Sequence, residues 1–138
     1  MAEGDTLYVD VVAADRRVWE GDALSIVLRT VEGDIGILPH HEPFLAVLVP
    51  CATEILTPDG KREVVAIDGG FITVADNRVS VFSQYGRLAH EISVNEAEHE
   101  LMEADKRLNA GDNSEETRRH HDRATAQLAA AKRAQQVR

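Results

Sequence analysis

An α+β protein is what these residues predict: antiparallel strands packed as a sandwich or barrel over residues 1–91, then a two-helix hairpin over residues 92–138. Three observations carry the expectation. Apolar residues recur at every second position in the first part and at every third or fourth from Ile92 onward, the two periods that separate strands from helices. All four prolines and every Phe, Tyr and Trp lie within the first 91 residues. The remainder is rich in Ala, Glu, Arg and Gln, good helix formers, so the boundary is drawn near Glu91.

In the first part, Leu7, Val9 and Val11 alternate with other residues as a half-buried strand requires, and Leu24, Ile26 and Leu28 repeat the pattern. Apolar runs follow at residues 44–49, 64–67, 71–74 and 79–82. Between them, Pro58-Asp59-Gly60 and Ala75-Asp76-Asn77 supply the residues that hairpin turns use, and Gly69-Gly70 marks a tight bend or bulge.

In the second part, Val94, Ala97, Leu101, Ala104 and Leu108 fall on one helical stripe, with Ser93 and Glu96 spaced as a capping box. Asn109-Ala110-Gly111 ends that helix. Asn113 or Ser114 then caps a second one, whose first turn holds Glu115 and Glu116 at the positive end of the dipole. The stripe of this second helix is thin. Ala124, Leu128 and Ala131 offer about 3 to 4 kcal/mol of burial, so the helix is expected to detach easily.

Charge divides the hairpin. Residues 92–116 hold eight acidic and two basic side chains, residues 117–138 one acidic and six basic. Folded together the helices attract. An acidic surface elsewhere would compete with the first helix for Arg118, Arg119, Arg123, Lys132 and Arg133.

Several functions are excluded on composition and motif. A net charge of −9 does not suit a general nucleic-acid binder, which needs a basic face against phosphates. The single cysteine, Cys51, has no internal partner. With no long apolar run or signal-like leader, the chain is expected to be soluble, reaching a membrane only through other proteins. His40-His41-Glu42 and His120-His121-Asp122 look like ligand clusters, but adjacent side chains diverge on either kind of element and neither sequence forms His-Glu-x-x-His. These histidines are expected at a surface or an interface. Phosphate-cradling glycine loops and nucleophile elbows are absent too. No catalytic residue, metal or cofactor is therefore expected.

The segment Glu32-Gly33-Asp34-Ile35-Gly36-Ile37-Leu38-Pro39-His40-His41-Glu42-Pro43-Phe44-Leu45 closely resembles the signature of the epsilon subunits of F-type ATP synthases. Arg17-Val18-Trp19-Glu20-Gly21 upstream and Asp68-Gly69-Gly70-Phe71-Ile72-Thr73-Val74 downstream match further patterns of that family in the same order. His40 stands where the family has glycine after Pro39, and Cys51 where it often has glycine after a proline.

The resemblance implies a sandwich of about ten strands and two helices, seated on the gamma subunit and the c-ring at the cytoplasmic face of a bacterial plasma membrane. It places Glu32, Gly33, Asp34 and His41 as candidate contacts. It also implies a hairpin that restrains ATP hydrolysis by reaching alpha and beta subunits; its final 45 or so residues would span roughly 65 Å as continuous helix. Some members bind ATP through Ile/Leu-Asp-x-x-Arg-Ala. Here Ile92, Ser93, Glu96 and Ala97 align with that motif, with Ser for Asp and Glu for Arg, and the Glu96 carboxylate would repel a triphosphate, so ATP binding is expected to be weak or absent.

Overall fold

The computed structural model describes residues 4–137; the outermost residues of the two predicted parts, 1–3 and Arg138, lie outside them. Eight strands come first: β1 (Leu7–Val12), β2 (Arg17–Ala23), β3 (Ser25–Thr30), β4 (Gly33–Ile37), β5 (Phe44–Leu56), β6 (Arg62–Ala75), β7 (Arg78–Phe82) and β8 (Gly86–Leu88). A 3₁₀ turn at Ala89–Glu91 leads to α1 (Val94–Asn109) and α2 (Glu115–Gln136).

The strands pair in the order β2-β1-β7-β6-β5-β3-β4, with β8 also on β6. All pairings are antiparallel except β1 with β7, which run parallel. The two longest strands account for the difference between eight and ten. β5 and β6 have 13 and 14 residues, and their ladder is interrupted between Leu48↔Gly70 and Pro50↔Asp68. There Pro50 lacks a donor and Gly69 and Gly70 adopt φ of +119° and +106°. Counted as two segments each on either side of that bend, β5 and β6 bring the eight strands to ten. The core between the layers is aliphatic: Leu7, Val9, Val11, Ile26, Leu28, Ile37, Ile55, Ile67, Ile72 and Val81 are all essentially inaccessible.

Local signals explain most of the turns. Asp76 and Asn77 both take positive φ (51° and 60°), the geometry that a two-residue connection between right-twisted strands needs. Ser93 caps α1, its Oγ accepting from the Glu96 N–H at 3.3 Å, and Gly111 takes φ +95° beyond the end of α1. Ser114 caps α2 by accepting from Thr117 N–H.

Asp112 ties the loop between the helices together. It accepts from the Ser114 N–H at 3.0 Å and from the Thr117 hydroxyl at 2.7 Å. These donors, the Ser114 backbone first, hold its carboxyl down to about 2. A depressed value means that the contribution is complete above the ordinary carboxylate range near about 3.9 and is lost as pH falls through the folded value. Hydrogen exchange on the first turn of α2 should therefore quicken between about pH 4 and pH 2 in the native chain, and Asp112→Asn should remove that acid-side step.

The hairpin departs from the expected picture in how α2 is held. α2 is a middle layer. It packs on β5 and β6 on one side and on α1 on the other, and α1 rests chiefly on α2. Thr117, Ala124 and Ala131, close to the predicted stripe, are buried along one line of the helix. A second stripe, Ala126, Ala130 and Ala134, sits with Val137 against Val64, Ala66 and Ala89 of the sandwich. The helix is thus anchored on two sides rather than thinly on one. Sequence does not disclose the second side, because alanines among polar residues give little hydrophobic contrast.

Candidate subunit interfaces

The two outer faces of the sandwich differ. One is covered by α2. The other, formed by β5, β6 and β7, leaves a strip of large apolar side chains open: Val47, Phe71 and Phe82 follow one another across neighbouring strands, with Leu45 and Val31 beside them, all 37 to 70% exposed. Phe71 and Phe82 stack with ring centres 5.0 Å apart. Single exposed apolar residues are ordinary, whereas a contiguous patch of this kind marks an interaction surface. Beyond the strip on β1 and β7, buried Asp10 accepts from Arg17 Nε at 2.8 Å and from Arg78 at 3.1 Å, and Arg78 also covers the Tyr8 ring.

The signature residues fall around this strip in different places. Val31 and Glu32 form the tip of the β3–β4 hairpin, fastened by the Thr30 hydroxyl, which donates to the Gly33 carbonyl and accepts from the Glu32 N–H. Glu32 lines an apolar groove of about 580 Å³ with Val31, Phe44, Leu45, Val47 and Phe71. His41 flanks the same region through an edge-on contact with Phe44, its Nδ1–H donating to the Glu42 carbonyl at 2.7 Å. Gly33, at φ +121° with open space where a Cβ would go, serves the turn and also leaves room for a close approach.

Asp34 is placed otherwise. It pairs across the hairpin with Arg29 Nε at 2.7 Å, which holds its carboxyl below the usual range, and both line a depression next to Lys132 and Arg133 rather than the apolar groove. Its carboxylate is thus engaged within the chain. His40 keeps the backbone that glycine would allow, at φ +67°. Its N–H donates to Asn77 Oδ1 at 2.8 Å and its ring lies 3.2 Å from Asp5, so a side chain and two tethers do the work of the missing glycine. Cys51 is buried, and burial pushes its thiol up.

The basic side chains of α2 do not chiefly meet α1, contrary to what the opposite charges of the two helices suggest. Arg133 forms a forked pair with Glu54 of β5 at 3.1 and 3.2 Å, and Glu54 also receives Arg62. Arg123 approaches Asp68 at 3.5 Å and lies over Tyr85, whose hydroxyl accepts from Gln127 at 2.8 Å. Glu54 and Asp68 are only 12 and 10% exposed, which makes these pairs stronger than ordinary surface bridges. Arg119 binds Glu115 within its own helix, and Arg118 and Lys132 are exposed. The links to α1 are instead His120 to Glu100 at 2.5 Å and His121 to Asp105 at 2.9 Å. Both histidines thus sit at an interface between elements, and their partners, on another helix, carry no signal in the sequence around them.

Ile92, Ser93, Glu96 and Ala97 come together in a groove of about 500 Å³ between the helices and the sandwich. Glu91, Glu96 and Glu100 line it against Arg87 and Arg123. Among the described residues no cluster of His, Cys, Asp and Glu suits a metal ion, and no helix is long and apolar enough to cross a membrane.

A sandwich with one bare apolar face and a separate two-helix layer on the other is a docking subunit. Its organisation serves contact with other chains. A family model described as the ATP synthase delta/epsilon chain beta-sandwich domain matches residues 6–85. The ATP synthase epsilon chain of Cutibacterium acnes is 48% identical over 135 residues, covering 91% of this chain and 92% of the relative. That of Streptomyces avermitilis is 48% identical over 98 residues, 71% of this chain and 79% of the relative. The chain belongs to the ATP synthase epsilon family, and is a non-catalytic subunit of that enzyme. The fold also matches a chain of the Euglena gracilis mitochondrial ATP synthase assembly of OSCP, F1 and c-ring, with a TM-score of 0.73 at 24% identity over 98% of this chain and 86% of that one.

Proposed function

We propose that this chain is the central-stalk subunit that couples rotation of the c-ring to the catalytic head and restrains ATP hydrolysis through its hairpin. The observation that carries the reading is the asymmetry of the sandwich: an open apolar strip on one face, and on the other a helical layer seated on alanines and held by ion pairs. The strip, flanked by Glu32 and His41, suits the gamma subunit and the c-ring. The hairpin, once released, would turn Arg118, Arg119, Arg123, Lys132 and Arg133 toward alpha and beta subunits. The complex would hold the chain at the cytoplasmic face of the bacterial membrane. The groove at Ile92, Ser93, Glu96 and Ala97 does not favour nucleotide sensing, since three carboxylates line it.

The test is a purified synthase assembled with the full chain or with one ending at Glu91. Removing residues 92–138 should raise ATP hydrolysis severalfold while proton-driven synthesis persists. Equal hydrolysis rates for the two assemblies would refute the braking role. Failure of the full chain to co-purify would refute the assignment to the stalk.

A further inference from the structure

The two seams that hold α2 are built from different chemistry. Toward the sandwich, the pairs are Arg123 with Asp68 and Arg133 with Glu54. Arginine keeps its charge at any physiological pH, and neither pair contains an imidazole. Toward α1, the polar links are His120 to Glu100 and His121 to Asp105. Imidazole is the side chain whose ordinary charge change falls near about pH 6.5, within the physiological range.

We propose that the α1–α2 seam is a pH-dependent latch, closed by protonation of His120 and His121, while the α2–sandwich seam is insensitive to pH over the same interval. Protonated, each ring is a cation paired with its carboxylate; neutral, it can still donate to that carboxylate but brings no charge of its own.

The surroundings reinforce the sign. His120 shares its groove with Glu96 and Glu100 of α1 and Glu91 of the 3₁₀ turn, against His99, Arg87 and Arg123. On the other ring, His121 faces Asp105 from α1 and acts on Asp122 beside it, with Asp68 of β6 close to Asp122. Carboxylates outnumber permanent cations around both rings.

The fully buried side chains of α1 are two alanines, Ala97 and Ala104, with Leu101 and Leu108 half-buried beside them. The two ionic links add a polar hold to this seam. Acid would keep the hairpin closed and mild alkali would loosen its outer helix first. The regulatory consequence, a brake less easily deployed in acid, rests on the function proposed above; the latch itself does not.

Hydrogen exchange on the intact chain at about pH 6 and pH 8, corrected for intrinsic rates, tests it. Relative to sandwich amides such as those of Ile67 and Val79, protection across residues 97–108 should be about fivefold greater at the lower pH, as expected of two partly exposed pairs together. His120→Gln with His121→Gln should flatten the difference, with sandwich protection serving as the control for folding. A native chain with equal protection at both pH values, or a double variant that keeps the dependence, would overturn the latch. The Glu91 truncation tests the brake separately: unchanged hydrolysis there removes the braking role without touching the exchange result.

Discussion

Gly70→Ala should destabilise the sandwich by more than about 3 kcal/mol, enough to leave much of a small domain unfolded. A Cβ at Gly70 would lie 1.9 Å from the Phe82 carbonyl oxygen and 2.9 Å from its carbon. Both are backbone atoms of β7, so relief requires moving a strand, not rotating a side chain. The φ of +106° adds strain of its own for any residue with a Cβ. Gly33→Ala is the control: its φ is also positive, but nothing lies within 4 Å of the new methyl, so only backbone strain of about 1 to 2 kcal/mol is expected. Urea unfolding of both variants separates the two costs, and a Gly70→Ala chain as stable as the Gly33→Ala chain would show the contact between β6 and β7 to be looser than described.

The second large effect concerns the hidden face of α2. Ala126 is fully buried against Val64, Ala66 and Ala89. An unpaired carboxylate there would cost several kcal/mol, more than the alanine face can offset, so Ala126→Asp should release the helix instead of burying the charge. Exchange protection across α2 should drop by roughly a hundredfold or more, while β1, β6 and β7 keep theirs. In the assembled synthase the same variant should mimic a hairpin set free. Undiminished protection in α2 would mean that its seat on the sandwich is not what retains it.

Much of this organisation is legible in the residues. The strand-to-helix switch, the Asp76-Asn77 turn and the caps Ser93 and Ser114 are local signals, decided within four or five residues. The edge strands β2 and β4 and the short β8 are not legible, because Arg17–Ala23, Gly33–Ile37 and Gly86–Leu88 carry too many polar or glycine residues to alternate. Nor is the parallel pairing of β1 with β7, which depends on residues far apart in the chain. At the interfaces, Glu32 and His41 border the exposed strip, but Asp34 has a partner in Arg29 that cross-strand register alone creates. The strip itself is hidden in plain view. Leu45, Val47, Phe71 and Phe82 read as core residues, since periodicity tells that one face is apolar but not that both are.

The burial of α2 beneath α1 also bears on how the molecule is made. A ribosome delivers α1 before α2, yet α1 has little to rest on until α2 has taken its place. The sandwich can close while the hairpin is still incomplete, and for that interval Val64, Ala66 and Ala89 face water. The later helix must therefore take its seat before the earlier one can complete the outer layer.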